Sequence, residues 1–321
     1  SGLGVVVRPG ADRKHWVLKR HACLRLSLGT GGADMSTSFH RNEVYRQLRG
    51  AFEGAKQYQE MWEKYKKDLA EYKQKKRQWD DQQKKKEAKK DGEKKDGEKK
   101  EEKPGDKKEG DSELKEEPKK PQKPRVDPRN EVLVRAIDPK TQLLVRIEAH
   151  TADTVDWALE LARDYKLRIA VDCGTEAARV AAALAQAKVP VFVGPVFRYG
   201  LRRVDYLNHS IDTAAELSKA GVTIAIASFP DPAAGHEGAG ATRFLLEAAA
   251  FAAGKGLSRD QALRAVTLEP AKILGIDATV GSIEKGKAAD LVILSGEPFE
   301  PGTRVERTMC DGAWIYQAKI E

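Results

Sequence analysis

From residue 143 the sequence alternates short apolar runs with longer amphipathic ones, and this alternation limits the fold more than any other feature. "LLVRIEA" precedes "DTVDWALELARDY", "LRIAVDC" precedes "TEAARVAAALAQA", "VPVFVG" precedes "IDTAAELSKA", and "VTIAIAS" precedes "GATRFLLEAAAFAAGKG". The short runs are apolar almost throughout, as strands buried on both faces are, and the longer runs recur every three to four residues as packed helices do. Units of this kind join parallel strands through right-handed crossovers, so the class is α/β. Asp153 and Thr175 are expected to cap the helices that follow them, and Gly221 to end the helix before "VTIAIAS".

Composition confines the core to part of the chain. Of 321 residues 40% are hydrophobic, yet residues 84–123 are nearly all Lys, Glu, Asp, Gly and Pro and include the tandem "DGEKKDGEKK". Such a stretch buries too little to offset the entropy of ordering its backbone, so a disordered charged insertion or linker is expected there. The net charge is +8, but Lys and Glu are interleaved, which leaves little field to attract phosphates and argues against nucleic acid as a partner. The three cysteines, Cys23, Cys173 and Cys310, form no CxxC pair, so neither a disulfide framework nor a cysteine-only zinc site is expected. Unpaired cysteines fit a reducing, cytoplasmic compartment. No apolar run approaches the ~18–20 residues of a membrane span. The chain opens at Ser1 without Met, signal peptide or transit sequence, as a processed form or a fragment would.

Ahead of the alternation, "LGVVVRP" and "ACLRLSLGTGGADMS" read as two strands and a Gly-rich loop. Residues 43–81 turn helical, with Phe52, Tyr58, Met61, Trp62, Tyr65, Leu69, Tyr72 and Trp79 at three- and four-residue intervals, a stripe expected to pack on the rest of the protein or on a partner. The last forty residues give short strands between Gly turns, with Asp311-Gly312 as a hairpin turn. The expected divisions are 1–54, the N-terminal part of the barrel; 55–126, charged helix and insertion; 127–280, α/β units; and 281–321, a small β unit. In a barrel of α/β units, chemistry sits where strands end. Those points are Glu148 with His150, Asp172 with Cys173, residues 194–199 and residues 228–236.

Residues 256–299, "GLSRDQALRAVTLEPAKILGIDATVGSIEKGKAADLVILSGEPF", carry in order the Gly-Leu-Ser, Thr-x-x-Pro-Ala-x-x-Leu-Gly, Gly-Ser-Ile-x-x-Gly-Lys and Ala-Asp-Leu-Val elements of a family signature. This segment resembles the C-terminal part of the amidohydrolase superfamily, imidazolonepropionase-like and related metal-dependent hydrolases in particular. The resemblance implies a metal-dependent-hydrolase TIM barrel, here incomplete, with a small composite β-sandwich to which the final strands belong. It also implies hydrolysis of non-peptide C–N bonds in a small-molecule substrate, such as a cyclic amide. One or two divalent metals, commonly zinc, lower the pKa of bound water to about 7, and a late Asp moves the proton.

Carried over residue by residue, the family's ligand positions are substituted. There is no His-x-His. Glu148 stands where the fifth strand's first ligand belongs, two residues before His150, and two such residues face the same side of a strand. Metal ligation and a strand-end acid–base pair are both open for them. Cys173 replaces the histidine before Gly-Thr-Glu, either as a thiolate ligand or as a small buried hydrophobe. The late Asp aligns with Ser228 or Phe229, which leaves Asp231 as the candidate catalytic residue, or as a turn residue between prolines. Tyr199 and His236 are candidate substrate contacts on neighbouring loops. Two functions follow: a hydrolase with an altered metal site, or a pseudoenzyme that acts as a non-catalytic scaffold or regulatory subunit in a homo- or hetero-oligomer with an active amidohydrolase paralogue.

Overall fold

The computed structural model describes residues 2–8, 16–29, 38–93, 116–196, 207–229 and 242–319. Two compact units are distinguished, one comprising Ser1–Phe52 and Val132–Glu321, the other Glu53–Glu131.

The larger unit is built on a sheet of six strands paired in chain order: β1 (Gly2–Val7), β2 (Val17–Ser27), β3 (Leu144–Ala149), β4 (Ile169–Cys173), β5 (Val191–Val193) and β6 (Ile224–Ile226). β1 is antiparallel to β2, and β2 through β6 are parallel. Because the order never reverses, the sheet curls as a half-barrel, which is the α/β arrangement the alternation calls for. Eight α-helices lie among the described residues: α1 (Ser38–Glu93), α2 (Pro128–Ile137), α3 (Ala152–Tyr165), α4 (Ala181–Gln186), α5 (Thr213–Lys219), α6 (Leu245–Gly254), α7 (Arg259–Val266) and α8 (Leu268–Leu274).

Period-two alternation sorts each strand's side chains onto two faces. Val145, Ile147, Val171, Val191 and Ile224 enter the larger core with helical residues such as Val155, Leu161 and Leu217. Cys23, Leu144, Ala170, Phe192 and Ala225 form a smaller cluster on the opposite face, closed by Ile273 of α8. Burial of both faces explains why these strands lack the polar alternation of an open sheet. The first turns of α1 belong to this unit. Tyr45 stacks on Trp157 with centroids 5.1 Å apart, and Phe52, fully buried, stacks on Tyr165 at the same distance.

Local expectations met mixed outcomes. Gly221 does follow α5, with φ +83°. Helix α3, however, starts at Ala152 with Thr151 as its N-cap, because Thr151 is extended and its amide donates to Thr154 Oγ1 at 3.1 Å. Asp153 lies inside the first turn, and its carboxylate accepts from the Thr154 amide. Thr175 caps no helix; Glu176 precedes the short 3-10 turn at Ala177–Val180. Residues 84–93, expected to be disordered, continue α1, since Lys, Glu and Ala favour helix and the one glycine, Gly92, falls in its last turn. Residues 116–127 run without helix or strand, and 94–115 lie outside the described residues.

At the C-terminus β7 (Leu291–Leu294), β8 (Val305–Cys310) and β9 (Ala313–Gln317) form one antiparallel three-stranded sheet. Asp311 and Gly312 turn the hairpin with φ +52° and +79°, the double positive φ that a two-residue turn requires. The expected sandwich is represented among the described residues by this sheet alone.

Candidate functional site

The C-terminal ends of β2, β3, β4 and β5 bring one row of side chains to the concave face. Register pairs Ser27 with Glu148, Glu148 with Asp172, and Asp172 with Phe192, so all four project to the same side. Two residues earlier, Arg25 pairs with Arg146. His150 follows β3 and is buried. One ring nitrogen, Nδ1, meets Thr175 Oγ1 at 2.9 Å, and the other, Nε2, meets Glu148 Oε1 at 3.3 Å. The Glu176 amide donates to the His150 carbonyl at 2.7 Å, and the Leu28 amide to the Glu148 carbonyl at 2.8 Å, so the chain around both residues is held by its neighbours. Gly29 lies against the pair: a Cβ there would come within 3.2 Å of Glu148 Oε1 and 3.4 Å of the imidazole.

Below this pair lies a clamp that the sequence reading did not assemble. Asp172 is fully buried; Arg146 Nε donates to its Oδ1 at 2.8 Å, and Arg25 Nε stands 3.6 Å from Oδ2, a charge contact longer than a hydrogen bond. Arg146 also lies over the Phe192 ring, 4.0 Å from its centroid. Burial pushes the Asp172 carboxyl above its ordinary value, against the downward pull of Arg146 and Arg25. Burial likewise raises the Cys23 thiol on the same face. A sequence signal for the clamp did exist: Arg25, Arg146 and Asp172 are charges at inward positions of otherwise apolar strands.

Cys173 does not join Glu148 and His150. It pairs with Ala149, one residue past the row that carries Asp172 and Glu148, and alternation turns it toward the helical side. There it lines a small cavity with Val193, Val196 and Ala214. Its φ of +72°, followed by Gly174 at +58°, turns the chain sharply out of β4. Tyr199, Asp231 and His236 lie outside the described residues. Among the described residues, no three His, Cys, Asp or Glu side chains group so as to hold a metal ion. The two donors that do meet, Glu148 and His150, are bonded to each other, and Cys173 is not grouped with them, so the described donors do not make up a three-ligand zinc centre.

The end of β5 is equally constrained. A Cβ built on Gly194 overlaps the Ala227 carbonyl oxygen and comes within 3.1 Å of its carbon, because the Ala227 amide closes onto Val193 O at 3.0 Å. Gly194→Ala must force β5 and the chain after β6 apart, at an expected cost of about 1–3 kcal/mol. Urea denaturation of the full chain measures it; a change below ~0.5 kcal/mol would mean that this contact yields freely.

Comparison with known proteins fits this architecture. Residues 174–315 match the model of the amidohydrolase family. The C-terminal portion of the chain belongs to the amidohydrolase superfamily. An amidohydrolase of known structure from Thermotoga maritima MSB8 aligns over 99% of this chain and 68% of its own, with 25% identity and a TM-score of 0.69. An adenosine deaminase from Xanthomonas campestris, solved with bound zinc, has 22% identity and a TM-score of 0.39 over 55% of this chain and 46% of its own. The E. coli guanine deaminase has 17% identity and a TM-score of 0.40 over 60% and 52%. This chain therefore spans about half the length of either deaminase. No curated protein matches the sequence. No helix among the described residues of this amidohydrolase relative is long and apolar enough to cross a membrane.

Proposed function

We propose that this chain keeps the amidohydrolase barrel as a scaffold for binding and assembly with a catalytic paralogue, and that its strand-end cluster does not run metal-activated hydrolysis. The observation that carries this reading is the state of His150. It is buried, with one ring nitrogen at Thr175 and the other at Glu148, and no third donor groups with the pair among the described residues. A ligand histidine needs one nitrogen free for the metal and uses the other for a supporting hydrogen bond. Here both are taken by protein. Amidohydrolase relatives act on small molecules at the strand ends, so the pocket of this chain is a binding site on the same reading. The three strands β7–β9, with Val292, Trp314 and Tyr316 each about half exposed, are taken as one layer of the family's composite sandwich.

Metal content of the purified full chain tests the proposal. We expect far less than one zinc per chain, unchanged in Glu148→Ala and Cys173→Ala. Stoichiometric zinc that falls in either variant would overturn it.

A further inference from the structure

In the smaller unit, the aromatic stripe of α1 has a partner in the chain itself. Residues 116–127, "EEPKKPQKPRVD", adopt neither helix nor strand, and their exposure repeats every three residues: Pro118, Pro121, Pro124 and Asp127 are half-buried, with two exposed residues between each. Three residues per turn is the period of polyproline II, which places every third side chain on one face. On the helix, Tyr58 is buried, and Trp62, Tyr65, Leu69, Tyr72, Lys76 and Trp79 are half-buried at alternating steps of four and three, a single stripe amid exposed charge.

Two contacts fix the direction in which the segment lies. The Asp127 amide donates to Tyr58 Oη at 3.3 Å, and Lys76 Nζ meets Glu117 Oε1 at 2.7 Å, so the order along the helix is reversed in the segment. The lengths agree. Tyr58 to Lys76 rises roughly 27 Å at the helical rise, and Glu117 to Asp127 spans roughly 31 Å at the polyproline rise. Interpolated between these contacts, Pro124 falls by Trp62 and Tyr65, Pro121 by Leu69 and Pro118 between Tyr72 and Lys76. Trp62 meets Tyr58 and Tyr65 edge-on, with centroids 6.2 and 5.8 Å apart, so the three rings form one continuous aromatic surface. The Trp62 indole nitrogen is shielded from solvent and has no hydrogen-bond partner among the described residues. A tryptophan N–H among aromatic rings is a donor that a polyproline carbonyl can use in an aromatic-lined groove.

We propose that this stripe is a recognition surface for Pro-x-x-Pro-x-x-Pro segments in the polyproline II form, occupied in cis by residues 116–127. A proline-rich segment of another protein is then the partner it fits, and it must displace the resident strand. Tethering gives that strand an effective concentration in the millimolar range, so a free peptide is largely excluded while the resident strand stays in place.

The test uses the full chain and a fluorescein-labelled peptide of residues 116–127. Replacing Pro118, Pro121 and Pro124 together with Ala should open the stripe, red-shift tryptophan emission, and let the peptide bind at least about tenfold more tightly than to the native chain, read by anisotropy. A peptide with its three prolines replaced by Ala should fail to bind. Equal binding to native and variant chains, or equal binding of the two peptides, overturns the proposal. A second variant, Trp62→Ala, removes the stripe and leaves the segment intact; tryptic cleavage after Lys119 and Arg125, the basic residues of the segment not followed by proline, should accelerate about tenfold, and an unchanged rate also overturns it.

Discussion

Asp172→Ala is expected to destabilise the chain by about 3–5 kcal/mol, because it strips the anion from a guanidinium that cannot leave. Arg146 is mostly buried, with its Nε on Asp172 and its guanidinium carbon 4.0 Å from the Phe192 ring centroid. Arg25 is half exposed and its share is screened, so Arg25→Ala should cost no more than about 1 kcal/mol. Asp172→Asn retains an oxygen for the Arg146 bond and should cost less than Asp172→Ala. The pH dependence carries its own sign. Burial raises the folded-state pKa of Asp172 above the unfolded value near 3.8, so the native state holds that proton more tightly than the unfolded chain. Its contribution is fully present below about pH 4 and is lost as pH rises through the raised value. Relative to Asp172→Asn, the native chain should therefore lose stability as pH rises from about 4 through that raised value. Urea denaturation of both proteins across that range checks this; a gap that moves in the native chain's favour would mean that the two arginines outweigh desolvation.

Phe52→Ala should cost about 3–5 kcal/mol, as truncation of a fully buried aromatic does. Phe52 is sealed between the first turns of α1 and the face of α3, where Tyr165 stacks on it. Around it, Tyr45 Oη donates to Glu160 at 2.6 Å and Arg49 meets Asp164 at 2.7 Å, which limits collapse into the cavity. Twenty-seven residues further along the same helix is a contrasting case: Trp79 lies in a stripe only half-buried, and Trp79→Ala should cost no more than about 1 kcal/mol in the unfolding of the larger unit. Chemical denaturation followed through Trp157 separates the two. A small loss at Phe52 would mean that α1 does not close this side of the barrel.

Much of the architecture is written in local pattern. The parallel strands, the helices between them and the Asp311-Gly312 hairpin each rest on a contiguous run of fewer than twenty residues, and the run from Gly256 to Phe299 carries the amidohydrolase likeness. The site was less legible. Glu148 and His150 could be paired by counting along one strand, and the structure does bring them together. Cys173 could not be placed by alignment, because one residue of offset at a strand end changes the face on which a side chain lies. The helical part of the expected disorder was missed for a different reason: Lys- and Glu-rich sequence is poor in core residues, yet each such residue tolerates helix well.

The sequence by itself determined the class of fold, the order of its strands and the family of its C-terminal portion, because those depend on periodicity and on motifs contiguous in the chain. Only the tertiary structure decided that Arg25, Arg146 and Asp172 form one clamp, that His150 spends both nitrogens on protein, and that residues 117 and 127 meet α1. Apart from the Glu148–His150 pair, these are contacts between residues 25 to 147 positions apart, whose geometry no local pattern encodes. Strand register and face, which act at the scale of a single residue, settle which of them form.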